Sequence, residues 1–128
     1  MSYCLAIDIG ASSGRHILGE YKNGRLECTE VYRFENGYAN ENGTLVWEIE
    51  KLVDSVIEGI AECKRKGFTP ETIAIDTWGV DYVLFDKDGK EIFPVVAYRD
   101  SRTATAPDEV YEILSIEELY SRTGIQKM

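Results

Sequence analysis

Two short apolar runs, Leu5-Ala6-Ile7-Asp8 and Ile73-Ala74-Ile75-Asp76, follow one pattern: apolar residues closed by an aspartate, with a glycine soon after at Gly10 and Gly79. Between them Ile49, Leu52, Val53, Val56, Ile57, Ile60 and Ala61 recur at helical spacing. A strand, a helix and a second strand in that order restrict the chain to an α/β arrangement in which the two strands pair in parallel. Parallel pairing brings Asp8 and Asp76 to the same sheet edge, and open α/β sheets bind their ligands at that edge.

The rest of the chain builds on this unit. Tyr3 to Ile9 reads as a strand, Arg15 to Lys22 as its antiparallel neighbour, and Leu26 to Phe34 as a third strand beyond the tight turn at Asn23-Gly24. The stretch from Glu35 to Thr44, with Asn36-Gly37 and Asn42-Gly43, is expected to be an irregular loop offering groups to a ligand. Gly67 ends the helix in a left-handed conformation, and Phe68 to Thr72 leads into the Asp76 strand. Asp81 to Phe85 is expected to return after Gly79 as Arg15 to Tyr21 returns after Gly10, so that the Asp76 strand turns into a second hairpin echoing the first. Pro94 to Tyr98 reads as a further short strand entering the polar patch Arg99-Asp100-Ser101-Arg102. Pro107 opens a helix reaching Leu114, and Ser115 with Glu118 forms a capping box for another that ends at Gly124. The expected fold is thus α/β: a mixed β-β-β-α-β sheet with flanking helices.

Composition bounds the partners. The 128 residues are 44% hydrophobic, enough for one core. Lys and Arg number 14 against 23 Asp and Glu, a net charge of -9 with no basic run, which argues against nucleic acid and membrane surfaces. No segment approaches the roughly 20 apolar residues of a membrane span, and Met1-Ser2-Tyr3 does not read as a signal peptide, so a cytoplasmic location is the expectation. Cys4, Cys28 and Cys63 are widely spaced and suggest neither a disulfide framework nor a zinc site. His16, the one histidine, reads as a satisfied strand residue rather than a catalytic base.

The chemistry concentrates in Asp8-Ile9-Gly10-Ala11-Ser12-Ser13-Gly14-Arg15. Successive amides of a Gly-rich turn make an anion-binding concavity and serine hydroxyls add donors. A carboxylate beside them can hold the hydrated cation that accompanies a nucleotide's phosphates. Read as a turn alone, the same residues also suit a polar hairpin. The motif resembles the first phosphate loop of the FGGY sugar kinases, which belong to one ATPase superfamily with hexokinase, actin and the Hsp70 chaperones. Ile75-Asp76-Thr77-Trp78-Gly79-Val80-Asp81-Tyr82, Ala97-Tyr98-Arg99-Asp100-Ser101-Arg102-Thr103 and Ser121-Arg122-Thr123-Gly124-Ile125-Gln126 resemble the branch of that family acting on L-rhamnulose.

The resemblance implies an RNase H-like fold and ATP- and Mg2+-dependent phosphorylation of the 1-hydroxyl of L-rhamnulose. It implies nucleotide-phosphate contacts from Ala11, Ser12, Ser13, Gly14 and Arg15, and a metal-positioning role for Asp8 through water. It places Trp78 and Gly79 on the sugar, with Tyr98, Asp100 and Arg102 as further sugar-side candidates. A Tyr-Arg-Asp strand end equally ties down a fold by an ion pair, and Trp78 equally serves a core. Where many relatives carry Thr and a hydroxyl residue, this chain has Ala11 and Gly14, which shifts phosphate contact toward backbone amides. By the same resemblance residues 1–128 are the incomplete N-terminal RNase H-like domain of a two-domain kinase. Its catalytic aspartate and adenine-binding domain lie beyond Met128, and the chain alone is expected to be inactive. Ile125 to Met128 carry no stop signal, in keeping with a piece of a longer protein whose exposed surfaces self-associate.

Two other functions suit parts of the pattern. Asp8, Glu48 or Glu50, and Asp76 follow the carboxylate layout of RNase H-type nucleases, which hold two metal ions. That layout leaves Ser12-Ser13-Gly14-Arg15 unexplained and lacks cationic partners for a nucleic-acid backbone. A non-catalytic binding or regulatory fragment is the other.

Overall fold

The computed structural model describes residues 2–126, which fall into two compact units, one ending at Tyr98 and one beginning at Arg99. The first holds strands β1 (Tyr3–Ile9), β2 (Ser13–Lys22), β3 (Arg25–Glu35), β4 (Tyr38–Glu41) and β5 (Thr44–Trp47). Helix α1 (Ile49–Arg65) and strands β6 (Thr72–Thr77), β7 (Leu84–Phe85) and β8 (Glu91–Ile92) complete it. The main sheet has the order β3-β2-β1-β6, with β1 antiparallel to β2 and parallel to β6. The expected mixed sheet is therefore present.

Two expected elements differ. The segment 35–44 is not an irregular loop: β4 and β5 form a hairpin around Asn42 and Gly43, both at positive φ. Its two Asn-Gly pairs mark hairpin turns as readily as loops. Likewise Pro94 to Tyr98 is not a strand. It meets β5 through one bridge, Val46 opposite Val96, with the Trp47 amide donating to Val95 O and the Ala97 amide to Leu45 O, each at 2.8 Å. The second hairpin also departs from the first, since β7 pairs with β8 in a sheet of its own and not with β6.

One face of the sheet carries the core. Leu5, Ile7 and Ile9 of β1 are buried with Leu18, Val31, Phe34 and Cys63, whereas Cys4 and Ala6 on the opposite face are exposed. Side-chain alternation explains the split, because only the face against α1 is covered. β6 is an edge strand whose residues are all exposed, including Ile73 at 50% and Ile75 at 57%. On α1 the apolar stripe is wider than the core it meets. Leu52, Val56, Gly59 and Cys63 turn inward while Val53, Ile57 and Ile60 stay exposed. Gly67, with φ of 82°, follows the helix as expected.

Helix α1 packs closely on the sheet at His16. This side chain is fully buried on β2, its Nε2–H donates to the Val56 carbonyl at 3.0 Å, and its Nδ1 has no partner. A β-carbon at Gly59 would lie 2.3 Å from the imidazole ring, so the helix reaches its packing distance only because position 59 has no side chain. Burial lowers the His16 pKa, against the opposing hydrogen bond to Val56, and the ring is neutral in the fold.

The second unit contains a 3-10 turn at Ser101–Thr103, α2 (Ala106–Tyr111) and α3 (Ile116–Thr123). Pro107 lies in the first turn of α2. Ser115 caps α3 by accepting the Glu118 amide at 3.2 Å, and Gly124 ends it with φ of 68°. The Glu118 carboxylate pairs with Arg122.

Two outcomes follow for stability. Gly-to-Ala in an exposed helix stabilises, but Gly59→Ala is expected to cost about 1–3 kcal/mol through overpacking against His16, read from urea unfolding. For His16 the folded pKa is lowered, so the unfolded chain takes up the proton first. Stability is full above about pH 6.5 and declines as pH falls below it. Urea midpoints should drop between about pH 7.5 and about pH 5.5, and His16→Gln should remove that part of the slope. A wild-type midpoint that stays flat there would contradict a neutral buried ring.

Candidate functional site

The register of the main sheet sets the charges. Asp8 lies opposite Asp76 on β6 and opposite Arg15 on β2, and Arg15 lies opposite Arg33 on β3. Directly opposed residues share a face, so Asp76, Asp8, Arg15 and Arg33 form a row across the sheet on the face away from the core. Arg15 Nε lies 3.0 Å from Asp8 Oδ2, and Arg33 pairs with Glu30. Asp76 has no ion pair among the described residues.

Between β1 and β2 the phosphate-type turn is tightly braced. The Gly10 amide donates to Ser13 O at 3.0 Å, and a β-carbon at Gly10 would lie 2.8 Å from that oxygen. Asn36 holds the turn from outside: its amide donates to Ser12 O at 3.0 Å and its side-chain Nδ2 to Gly10 O at 2.8 Å. Asn36 comes from the segment read as a ligand-presenting loop, and it acts on the turn instead. Its role depends on a contact across 26 residues, which no local pattern signals. Among the described residues the Ser12 and Ser13 hydroxyls engage no other protein group. Gly14 is buried, and a β-carbon there would sit 2.1 Å from the Phe34 ring, so its lack of a side chain serves packing.

Beyond β6 the chain makes a second constellation. Asp81 Oδ2 accepts hydrogen bonds from Trp47 Nε1 at 2.8 Å and Trp78 Nε1 at 2.6 Å, and the two ring centroids are 4.4 Å apart at 42°. Trp78 is partly buried against both apolar clusters, so the core role weighed for it is present. Gly79 is exposed, and a β-carbon on it would meet nothing within 4 Å. Val80 has φ of 69°, a strained conformation for a β-branched residue, and turns the chain back so that Asp81 reaches the indoles. This turn also explains why β7 does not continue as a hairpin partner of β6. A cavity of about 290 Å³ opens here, lined by Trp47, Trp78, Asp81, Tyr82 and Val83 among others. Trp47 and Asp81 were not singled out as site residues from the sequence. Asp81 stands three positions after Trp78, a usable signal, but Trp47 is 34 residues from its acceptor.

The remaining candidates separate. Tyr98 is partly buried and packs with Trp47, Val95 and Ala97 in the first unit. Asp100 and Arg102 belong to the second, where Asp100 is 9% exposed and its Oδ1 accepts the Arg102 amide at 2.9 Å, capping the 3-10 turn. Their guanidinium-carboxylate distance is 3.8 Å, a local pair between residues two positions apart. Among the described residues no three His, Cys, Asp or Glu side chains are grouped to hold a metal, so the trio of a two-metal nuclease is not assembled. No helix among them is long and apolar enough to cross a membrane.

The geometry has counterparts among known proteins. The chain is 43% identical over 126 residues to the rhamnulokinase of Ligilactobacillus salivarius, covering 98% of this chain and 26% of that protein. It is 41% identical over 121 residues to the rhamnulokinase of Bacillus subtilis, covering 94% of this chain and 25% of that one. It thus spans about a quarter of these relatives. In fold it matches the gluconate kinase of Lactobacillus acidophilus (TM-score 0.74, 16% identity, 97% of this chain and 25% of that one). The xylulose kinase of Rhodospirillum rubrum is similar (TM-score 0.73, 19% identity, 92% of this chain and 25% of that one). Residues 3–128 match the N-terminal domain of the FGGY family of carbohydrate kinases, and the chain belongs to that family.

Proposed function

We propose that this chain is the phosphate- and sugar-binding N-terminal part of an ATP-dependent kinase that phosphorylates L-rhamnulose at its 1-hydroxyl. The observation that carries the reading is the parallel register of Asp8 with Asp76, which sets the braced turn 10–13 and the Trp78-Gly79 turn at one sheet edge. Identity to rhamnulokinases over nearly the whole chain supports the choice of sugar.

The donors present fit a nucleotide's phosphates and a hydrated Mg2+. Ala11 and Ser12 amides, the unengaged Ser12 and Ser13 hydroxyls, the Gly14 amide and the Arg15 guanidinium hold the phosphates. The ion pair to Asp8 orients the guanidinium, and Asp8 positions the cation through water. Bound MgATP supplies the transferable phosphoryl group with much of its charge neutralised. This chain's work is to bind and orient, since phosphoryl transfer depends mainly on positioning and charge. Gly79 lets the backbone approach the sugar, Trp78 covers an apolar part of it, and Tyr98 adds to the sugar side. The general base that takes the 1-hydroxyl proton is expected from the part of the kinase beyond residue 128. The cytoplasm is the compartment this reading implies. The exposed Ile73 and Ile75 on β6 support self-association of the isolated chain.

Calorimetric titration tests the binding role. The chain should bind L-rhamnulose, and Gly79→Ala should weaken it about tenfold, or about 1.4 kcal/mol, without moving the urea midpoint. Absence of sugar binding by the folded wild-type chain would overturn the sugar assignment. In a coupled assay the 128-residue chain should give no L-rhamnulose-dependent ATP turnover. Turnover would show that the base lies within it.

A further inference from the structure

The carboxylate of Asp81 does more than close a turn. It is partly buried and accepts both indole N–H groups on one oxygen, at 2.8 and 2.6 Å, fixing two rings from elements far apart in sequence. Its other oxygen has no protein partner among the described residues. The Trp47 ring is 5% exposed and held from behind by the edge of Tyr38, with centroids 5.8 Å apart. Val80 keeps its strained φ of 69° although its own side chain is 59% exposed and gains little packing in return. Strain of this kind persists where surrounding structure demands it. Here it is what brings Asp81 under both indoles. If the arrangement were only an adhesive between the β4-β5 hairpin and the turn after β6, the rings would be expected to pack solid. Instead they wall an open, largely apolar cavity bordered by Thr77, Tyr82 and Val95, at the small-molecule end of the usual pocket range.

We propose that Asp81 is a positioning residue of the sugar site: by holding Trp47 and Trp78 as one rigid wall, it selects a sugar presenting a methyl carbon over one presenting a hydroxyl at the same place. This rests on the reading of the site as a sugar site. An apolar wall rejects an added hydroxyl only moderately, to a ceiling of roughly a hundredfold. The selectivity is therefore sensitive to any loosening of the rings.

Trp47 and Trp78 are the only two tryptophans in the chain, so their coupling is directly observable. Stacked indoles give an exciton couplet in circular dichroism, and their fluorescence reports ligands entering the cavity. The test compares wild type, Asp81→Ala and Asp81→Asn, titrated with L-rhamnulose and with L-fructose, which is L-rhamnulose with a hydroxyl on carbon 6. Wild type should show the couplet and prefer L-rhamnulose. Asp81→Ala should lose the couplet, bind L-rhamnulose about tenfold more weakly and bring the ratio of the two affinities toward one. Asp81→Asn keeps a neutral acceptor and should fall between. Where Asp81→Ala does not fold, the ratio and couplet of Asp81→Asn decide alone. An unchanged ratio in a folded variant, or a couplet that survives removal of the carboxylate, would overturn the proposal while leaving the sugar reading intact. A wild-type chain that binds neither sugar defeats the sugar reading itself and the proposal with it.

Discussion

The parallel pairing of β1 with β6 decides what meets at the ligand edge of this protein. Its register sets Leu5 beside Ile73, Ile7 beside Ile75 and Asp8 beside Asp76. A slip of one residue on β1 would carry Asp8 to the face where α1 packs, leaving a carboxylate among apolar side chains. The register is therefore enforced by the same alternation that builds the core. The braced turn 10–13 and the turn carrying Trp78 and Gly79 inherit their relation from it. The two turns are near each other because their strands are neighbours, although 65 or more residues separate them in the chain.

Charge at that edge is organised rather than accumulated. Asp8 and Asp76 are like charges in adjacent register, and Arg15 offsets one of them at 3.0 Å. Both partners of that pair are well exposed, so it contributes little to stability, in the range of about 0–1 kcal/mol. Its consequence is directional: it holds the guanidinium beside Asp8 and leaves Asp76 without an ion pair among the described residues. Arg33, next in the row, is engaged by Glu30 and adds no free positive charge to the site.

Legibility in the sequence followed the range of the interactions. Strands β1, β2, β3 and β6 and helix α1 were readable because period and local turn chemistry specify them. The β4-β5 hairpin was not, since its Asn-Gly pairs satisfy a loop and a hairpin equally. The inward face of α1 was readable as a stripe but not in its centre, because Gly59 faces inward on account of His16, 43 positions away. At the site, Asp8, Arg15, Trp78 and Gly79 stood in local motifs. Asn36, Trp47 and Asp81 act through hydrogen bonds whose partners only the folded chain brings together.

Three glycines of the site show why a motif alone underdetermines a role. At Gly10 a side chain would strike the Ser13 carbonyl, so the glycine is a condition of the turn itself. At Gly14 it would strike the Phe34 ring, so the glycine is a condition of the core. At Gly79 it would strike nothing among the described residues, and the backbone there has no positive φ. Of the three, Gly79 alone is fixed neither by its turn nor by the core, and it follows Trp78, one of the two indoles that Asp81 holds.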